Sequence, residues 1–113
     1  MESFILYAIS DSIGETAQQV AKAAISQFDI REDMYEIRRF PYVSTKETLL
    51  DILDSAKSEN AIIVYTLVSE NLGDIVEEFC EKENLHCIGL MSEILNILTD
   101  KIGASPKREP GII

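Results

Sequence analysis

A segment rich in hydroxyl and carboxylate groups follows the first apolar run of the chain. This segment, termed loop 10–16, consists of Ser10, Asp11, Ser12, Ile13, Gly14, Glu15 and Thr16. It stands between a predicted strand and a predicted helix, where free backbone amides and the positive end of the helix dipole attract anions. The hydroxyls at positions 10, 12 and 16 are suited to complete a phosphate cradle. The chemistry that loop 10–16 suits best is therefore recognition of a phosphoryl group.

The same residues also permit a purely structural interpretation. Ser12 and Glu15 have the spacing of a helix capping box, and Gly14 would let the helix pack closely on a sheet. The carboxylates of Asp11 and Glu15 disfavour a tightly held polyphosphate unless a metal or an incoming hydroxyl engages them. The nucleotide-binding pattern G-x-x-x-x-G-K-[ST] occurs nowhere in the 113 residues. Spacing alone leaves capping and ligand contact both open.

Other polar residues add little to this site. Arg38 and Arg39 end a predicted strand, and neighbouring strand residues face opposite sides, so at most one can assist loop 10–16. An arginine lying over the sheet edge is the commoner alternative. Cys80, His86 and Cys87 lack the fourth ligand and the paired spacing of a zinc site, so no metal is expected. We expect both cysteines to be buried thiols.

Four strands alternate with helices in the hydrophobic pattern. Residues 4–9 and 61–67 are continuously apolar, as strands covered on both faces require, whereas residues 34–40 partly alternate. A short fourth strand is predicted at 86–89. Helical spacing follows each strand, and Ser44 with Glu47, and then Ser69, are predicted to cap the second and third helices. The apolar side of the fourth helix is predicted to comprise Met91, Ile94, Leu95, Leu98 and Ile102.

Alternation of strands and helices demands right-handed crossovers. We therefore predict an α/β fold in three layers, with a mostly parallel four-stranded sheet of order 2-1-3-4 and helices on both faces. Ligands of such sheets bind beyond the carboxyl ends of the strands, at the switch point in strand order. Here that point lies between the first and third strands, which again indicates loop 10–16.

Composition limits the partners and the compartment. The formal net charge of −10 disfavours nucleic acid and anionic membranes, and no targeting or membrane-spanning run is present. We expect a soluble, cytoplasmic chain. Residues 1–102 are predicted to form an N-terminal α/β domain. Residues 103–113, which carry prolines and glycines, are predicted to be an extended, exposed linker.

Three segments in matching order carry a resemblance to a known family. They are loop 10–16 with Ala17, the run Arg39-Phe40-Pro41-Tyr42-Val43, and Gly103-x-x-Pro106-x-Arg108-Glu109-Pro110-Gly111. Together they resemble the pyruvate, phosphate dikinase regulatory proteins, whose bacterial relatives include the phosphoenolpyruvate synthase regulatory proteins. The likeness spans essentially the whole chain.

The resemblance implies a bifunctional parent enzyme. Family members use ADP to phosphorylate a threonine of the dikinase, and they remove that phosphate by attack of inorganic phosphate, releasing pyrophosphate. Family chains are more than twice this length, and their nucleotide-binding P-loop lies downstream of the Pro-Gly tail. The expected role is thus an N-terminal part that is inactive alone and holds no cofactor, with ADP and phosphate bound elsewhere. The implied partner is pyruvate, phosphate dikinase or phosphoenolpyruvate synthase, and a homodimer stays open.

If the resemblance holds, our hypothesis is that residues of the cleft at the switch point meet the target, and we assign none of them a catalytic role. The candidates for contact with the target segment or its phosphate are Ser10, Asp11, Ser12, Gly14, Glu15, Thr16, Arg38 and Arg39. The linker motif comprises Pro106, Arg108, Glu109, Pro110 and Gly111.

Two alternatives share the predicted topology. One is a flavodoxin-like module that binds a small molecule or phosphate, because Gly-x-Thr in a hydroxyl-rich loop resembles a flavin mononucleotide loop. Tyr42 and Tyr65 would then have to stack on the flavin. The other is a phospho-receiver, which the sequence disfavours because Thr66 and Leu67 stand where the acceptor aspartate is expected.

Overall fold

A computed structural model of the protein describes residues 1–112. Its strands and helices alternate along the chain, with one 3-10 turn at Glu32–Met34. In order they are β1 (Phe4–Ser10), α1 (Glu15–Ile25), β2 (Tyr35–Phe40), α2 (Lys46–Glu59), β3 (Ile62–Thr66), α3 (Glu70–Glu83), β4 (Cys87–Gly89) and α4 (Ser92–Ile102). Every strand pair is parallel, and the strand order is β2-β1-β3-β4. The predicted α/β fold and strand order are confirmed.

The sheet is covered on both faces, which explains why β1 and β3 are continuously apolar. Helices α2 and α3 cover one face around Tyr7, Ile9 and Ile63. Helix α1 covers the other face, where Ala17 and Ala21 pack on a second buried cluster. Because alanine side chains are short, α1 can lie close to the sheet. This close packing fixes the start of α1 at the carboxyl end of β1.

The ends of α2 and α3 follow simple capping chemistry. The hydroxyl of Thr45 accepts the N–H of Thr48 at 3.2 Å, so the predicted capping by Ser44 is wrong by one residue. The reason is that Thr45 itself is extended and directs its oxygen into the first turn. Ser69 caps α3 as predicted, accepting the N–H of Leu72 at 3.2 Å.

The open edge of the sheet is the least covered part of the fold. Cys80 is buried, but Cys87 is only half-buried, so the expectation that both thiols are buried is wrong for the second. Cys87 belongs to β4, which lies at the edge of the sheet and is paired to β3 alone. Helix α4 follows that edge strand and has no fully buried residue. Its predicted apolar side is therefore only partly covered.

The last segment of the chain lies against the domain. Residues 103–112 form no helix or strand, but Pro106 and Arg108 are half-buried. The Arg108 guanidinium donates to the carbonyl oxygen of Val68 at 2.9 Å. The expectation of exposure is therefore wrong for Pro106 and Arg108, because a long-range hydrogen bond holds Arg108 against the domain. The other residues of 103–112 are exposed as expected. The domain boundary at residue 102 stays a prediction. None of the helices within residues 1–112 combines the length and hydropathy of a membrane span.

A pair of glycines offers a matched test of the packing around Tyr65. A Cβ added at Gly89 would lie 2.6 Å from the phenol oxygen of Tyr65, a residue that is 2% exposed and whose hydroxyl is hydrogen-bonded to Glu77. We expect Gly89→Ala to lower the free energy of unfolding by about 1–3 kcal/mol, as overpacked sites do. Urea denaturation measures this change.

Gly73 in α3 provides the control. A Cβ there would approach the same ring only to 3.7 Å, an ordinary contact. Gly73→Ala should therefore stabilise the protein by up to about 1 kcal/mol through helix propensity. Equal effects of the two substitutions would contradict the packing of Tyr65 against β4.

Candidate functional site

Hydrogen bonds fix loop 10–16 to the segment that follows β2. The carbonyl oxygen of Ser10 accepts the N–H of Val43 at 2.9 Å, and that of Ser12 accepts the N–H of Tyr42 at 2.9 Å. The Ser10 hydroxyl is buried and accepts the N–H of Ser12 at 3.0 Å. Ser10 therefore supports the loop from below and does not face solvent.

Asp11 fixes the loop on its other side, to the segment after β3. Its Oδ2 accepts the N–H of Val68 at 2.8 Å. Burial raises the pKa of Asp11, and the hydrogen bond from Val68 partly opposes that rise. The carboxylate thus bridges the carboxyl ends of neighbouring strands at the switch point.

Gly14 sets the start of α1. It is buried and adopts the left-handed conformation, with φ of 85°. A Cβ at this position would lie 3.2 Å from the Cγ and Cδ of Arg39, so both backbone and space favour glycine.

No side chain within the described residues caps α1, so the capping-box interpretation of Ser12 and Glu15 is wrong. The Ser12 hydroxyl lies instead 3.4 Å from that of Ser10. The first-turn N–H groups of α1 consequently lack a side-chain acceptor, and such groups are the ones that bind anions.

The start of α1 opens onto a groove of about 610 Å³, termed the switch-point groove. Asp11, Ser12, Glu15 and Thr16 line it from loop 10–16, and Glu15 and Thr16 are exposed. The other lining residues come from the strand ends, the start of α4 and the last segment, and they include Tyr42, Thr66, Val68, Met91, Leu95, Pro106, Arg108, Glu109 and Gly111. The structure therefore brings most of the predicted candidates of loop 10–16 and the linker motif to one place.

The two arginines separate to opposite faces, as their adjacency in β2 requires. Arg38 points under α2, where its guanidinium donates to Glu59 at 2.7 Å and to the Tyr7 hydroxyl at 3.3 Å. Arg39 lies on the α1 face, and its guanidinium is 3.4 Å from the side-chain oxygen of Gln18. Arg39 is therefore the arginine beside loop 10–16, and Arg38 belongs to a separate polar cluster.

Arg38 is part of a stabilising cluster at the end of α2. Tyr7, whose side chain is fully buried, donates its hydroxyl to Glu59 and lies 3.0 Å from the hydroxyl of Ser55. Hydrogen bonds from Tyr7 and Arg38 lower the pKa of Glu59, which favours its ionised form beside the Arg38 guanidinium. This cluster satisfies a buried phenol and has no contact with the switch-point groove.

Tyr42 is a groove residue that the sequence analysis named as a possible stacking partner only in the flavin alternative. It adopts the left-handed conformation with φ of 57°, which is uncommon for a bulky residue, and its side chain is 67% exposed. The signal that indicates it is the Pro41-Tyr42 pair within the segment that carries the family resemblance. Tyr65, by contrast, is buried and donates to Glu77 at 2.7 Å, so it cannot stack on a flavin.

Arg108 closes one end of the groove. Besides its bond to the Val68 carbonyl, its guanidinium lies 3.8 Å from a carboxylate oxygen of Glu70. Asp11 and Arg108 therefore bind the N–H and the carbonyl of the same residue, Val68. Pro106, Glu109 and Gly111 line the groove beside it, whereas Pro110 is not among the lining residues.

Comparison with known proteins identifies the family. The family model described as kinase/pyrophosphorylase matches residues 6–113. The chain belongs to the kinase/pyrophosphorylase family. The match includes every residue of loop 10–16 and of the linker motif.

Close relatives carry a consistent name. A protein of Clostridioides difficile named "Putative pyruvate, phosphate dikinase regulatory protein" is 58% identical over 113 residues, which is 100% of this chain and 40% of the relative. Relatives with that name from Alkaliphilus metalliredigens and Staphylococcus carnosus are 48% and 40% identical, over 99% and 100% of this chain. The chain spans about 40% of the length of these relatives.

The hydrogen bond from the Val68 N–H to Asp11 can be tested by two substitutions, one to alanine, which has no acceptor, and one to asparagine, which keeps one. Asp11→Ala leaves the Val68 N–H without its acceptor and should lower the free energy of unfolding by about 1–3 kcal/mol. Asp11→Asn keeps an acceptor and removes a charge that burial disfavours, so it should be at least as stable as the parent at pH 7. Chemical denaturation of the three proteins at several pH values measures both effects.

The raised pKa of Asp11 fixes the direction of the pH dependence. Folding favours the protonated form of Asp11, and this preference contributes to the free energy of unfolding. The contribution is complete below the ordinary aspartate pKa of about 3.9 and is lost as the pH rises through the pKa of the folded state. The advantage of Asp11→Asn over the parent should therefore shrink as the pH falls to about 4. If Asp11→Asn and Asp11→Ala lower the free energy of unfolding equally at pH 7, the negative charge of the carboxylate is what holds the loop.

Proposed function

We propose that this chain is the N-terminal part of a bifunctional protein kinase and pyrophosphorylase that regulates pyruvate, phosphate dikinase or phosphoenolpyruvate synthase. Membership of the kinase/pyrophosphorylase family supports this proposal, and the names of the relatives favour the dikinase. The parent enzyme uses ADP to phosphorylate a threonine of the target, and it uses inorganic phosphate to remove that phosphate as pyrophosphate. ADP is bound by residues outside this chain, so the 113 residues alone are inactive.

Within the parent enzyme, the switch-point groove receives the target segment. Its volume of about 610 Å³ lies within the range of roughly 300–1,000 Å³ that is typical of ligand sites. The observation that carries this assignment is the uncapped start of α1, which opens on the groove beside the hydroxyls of Ser12 and Thr16. Amides and hydroxyls in this arrangement suit a threonine hydroxyl or its phosphate.

The residues of loop 10–16 divide into two roles under this proposal. Ser12, Thr16 and the first-turn amides of α1 contact the target group. Ser10 and Asp11 are positioning residues, because their polar atoms are already hydrogen-bonded to the chain. Gly14 keeps the amides open by adding no side chain.

The charges that line the groove are mixed, in a chain that is acidic overall. The formal net charge is −10, which opposes anions at long range. At the groove, the cations Lys107 and Arg108 are offset by the carboxylates of Asp11, Glu15 and Glu109. The attraction for a phosphoryl group therefore rests on the helix dipole and the first-turn amides of α1, with the exposed Arg39 behind Gly14. The exposed carboxylate of Glu15 compensates the helix dipole when no phosphoryl group is present.

Removing the hydroxyls of the half-buried Ser12 and the exposed Thr16 tests the proposed contact. In the full-length enzyme, we expect Ser12→Ala combined with Thr16→Ala to slow both phosphorylation and dephosphorylation of the target at least tenfold. A hydrogen bond to a charged group contributes about 1.5–3 kcal/mol, and about 1.4 kcal/mol corresponds to a tenfold change in rate. The KM for ADP should stay unchanged, because ADP binds elsewhere. Incorporation and release of labelled phosphate on the target threonine provide the measurement.

Ser58→Ala is the matched control for this experiment. It removes an exposed hydroxyl near the end of α2, where the hydroxyl donates only to the carbonyl oxygen of Asp54. The control should leave both activities unchanged. If the Ser12 and Thr16 double variant also retains both activities, the groove does not contact the target.

A further inference from the structure

The rest of the domain covers only one side of the apolar face of helix α4. The covered side, termed the seated flank, consists of three half-buried residues spaced four positions apart: Met91 at the N-cap, Leu95 and Thr99. The large apolar residues on the neighbouring flank are exposed. They are Ile94 at 54%, Ile97 at 61%, Leu98 at 45% and Ile102 at 69%, and we term them the α4 stripe.

The α4 stripe differs from the apolar faces of the helices that complete the core. Helix α2 buries Leu49 and Leu53 fully, and α3 buries Val76 in the same way. A stripe with spacing of three and four residues is ordinarily the buried face of an amphipathic helix. Contiguous exposed apolar surface of this kind marks an interaction site.

The strand before α4 extends the uncovered surface. Ile88 in β4 is 55% exposed, and β4 has a hydrogen-bonded neighbour on one side only. The sheet therefore lacks cover at the same edge from which α4 begins. An occupant of the α4 stripe would lie next to an apolar strand edge.

We propose that the α4 stripe is the surface on which the remainder of the full-length protein packs. This inference rests on the proposed function only in taking the chain as part of a longer protein. The chain spans about 40% of its relatives, so most of their polypeptide is available to cover the stripe.

The last segment brings that polypeptide to the right place. Residues 106–109, 111 and 112 line the same groove as Met91 and Leu95 of the seated flank of α4. Chain continuous with this segment is therefore held beside the α4 stripe at high effective concentration, without a long linker. A second copy of the chain has no such advantage.

Single cysteine probes in the full-length protein test this interface. Ile94→Cys and Leu98→Cys place thiols on the α4 stripe, and Asp100→Cys places one on the exposed opposite side of the same helix. Maleimide labelling, followed residue by residue with mass spectrometry, separates each probe from native Cys80 and Cys87. We expect the thiols on the stripe to react at least roughly tenfold more slowly than the Asp100→Cys control, because a thiol buried in an interface reacts only when the interface opens locally.

Dilution distinguishes the possible occupants. Protection that persists on dilution supports packing of the same polypeptide on the α4 stripe. Protection that disappears on dilution, together with a smaller species in sedimentation velocity, would assign the stripe to a second copy and overturn the proposal. Equal labelling of Leu98→Cys and Asp100→Cys would also overturn it. The assay measures no activity, so failure of the Ser12 and Thr16 experiment would leave its outcome unaffected.

Discussion

Loop 10–16 is held open by hydrogen bonds to the strand ends on both sides of it. In a parallel sheet of order β2-β1-β3-β4, the connections after β1 and β3 leave toward opposite faces. A crevice opens between them. The backbone N–H and C=O groups at its rim lie past the ends of the strands, so no neighbouring strand supplies their hydrogen bonds. Val43 and Tyr42 on one side, and Val68 on the other, restore those partners through Ser10, Ser12 and Asp11. The shape of the groove follows from this bracing.

The bracing separates residues that hold the site from residues that face it. Ser10 and Asp11 carry hydroxyl and carboxylate groups suited to chemistry, yet those groups are engaged by the backbone. Gly14 needs no side-chain chemistry, because its left-handed conformation alone exposes the first amides of α1. The groups left for a partner are the amides and hydroxyls that no neighbour within residues 1–112 caps. Under the proposed function, a preorganised site of this kind would need little rearrangement to accept a phosphoryl group.

The sequence predicted those features that depend on local periodicity and on hydrophobic burial. The apolar runs of β1 and β3 predicted covered central strands, and the alternation of strands with helices led to the correct strand order. The adjacency of Arg38 and Arg39 correctly limited loop 10–16 to one arginine. The choice between the two arginines depends on a long-range contact, the hydrogen bond from Arg38 to the buried phenol of Tyr7 under α2.

Features that depend on competition between hydrogen-bond partners escaped prediction. Ser12 and Glu15 fulfil the capping-box spacing, but the bond to Ser10 turns Ser12 away from the helix. Ser44 is replaced as a cap by Thr45 for a similar local reason. The placement of Arg108 on Val68 joins residues 40 positions apart, and no local pattern encodes it. Family resemblance and strand order both indicated loop 10–16 as the candidate site, whereas the distinction between its hydrogen-bonded and its open groups required the geometry.

The switch-point groove and the α4 stripe are neighbours on the molecule. Met91 and Leu95 line the groove from the seated flank of α4, and Ile94 and Leu98 continue around the same helix. A lobe that packs on the stripe would therefore lie close to the groove, which the start of α1 lines from its other side. Phosphoryl transfer requires the reacting groups to be held in line at close range, with little help from covalent chemistry. A target threonine bound at the uncapped start of α1 would meet a nucleotide carried by that lobe, so one apolar helix face would set the distance between the two substrates.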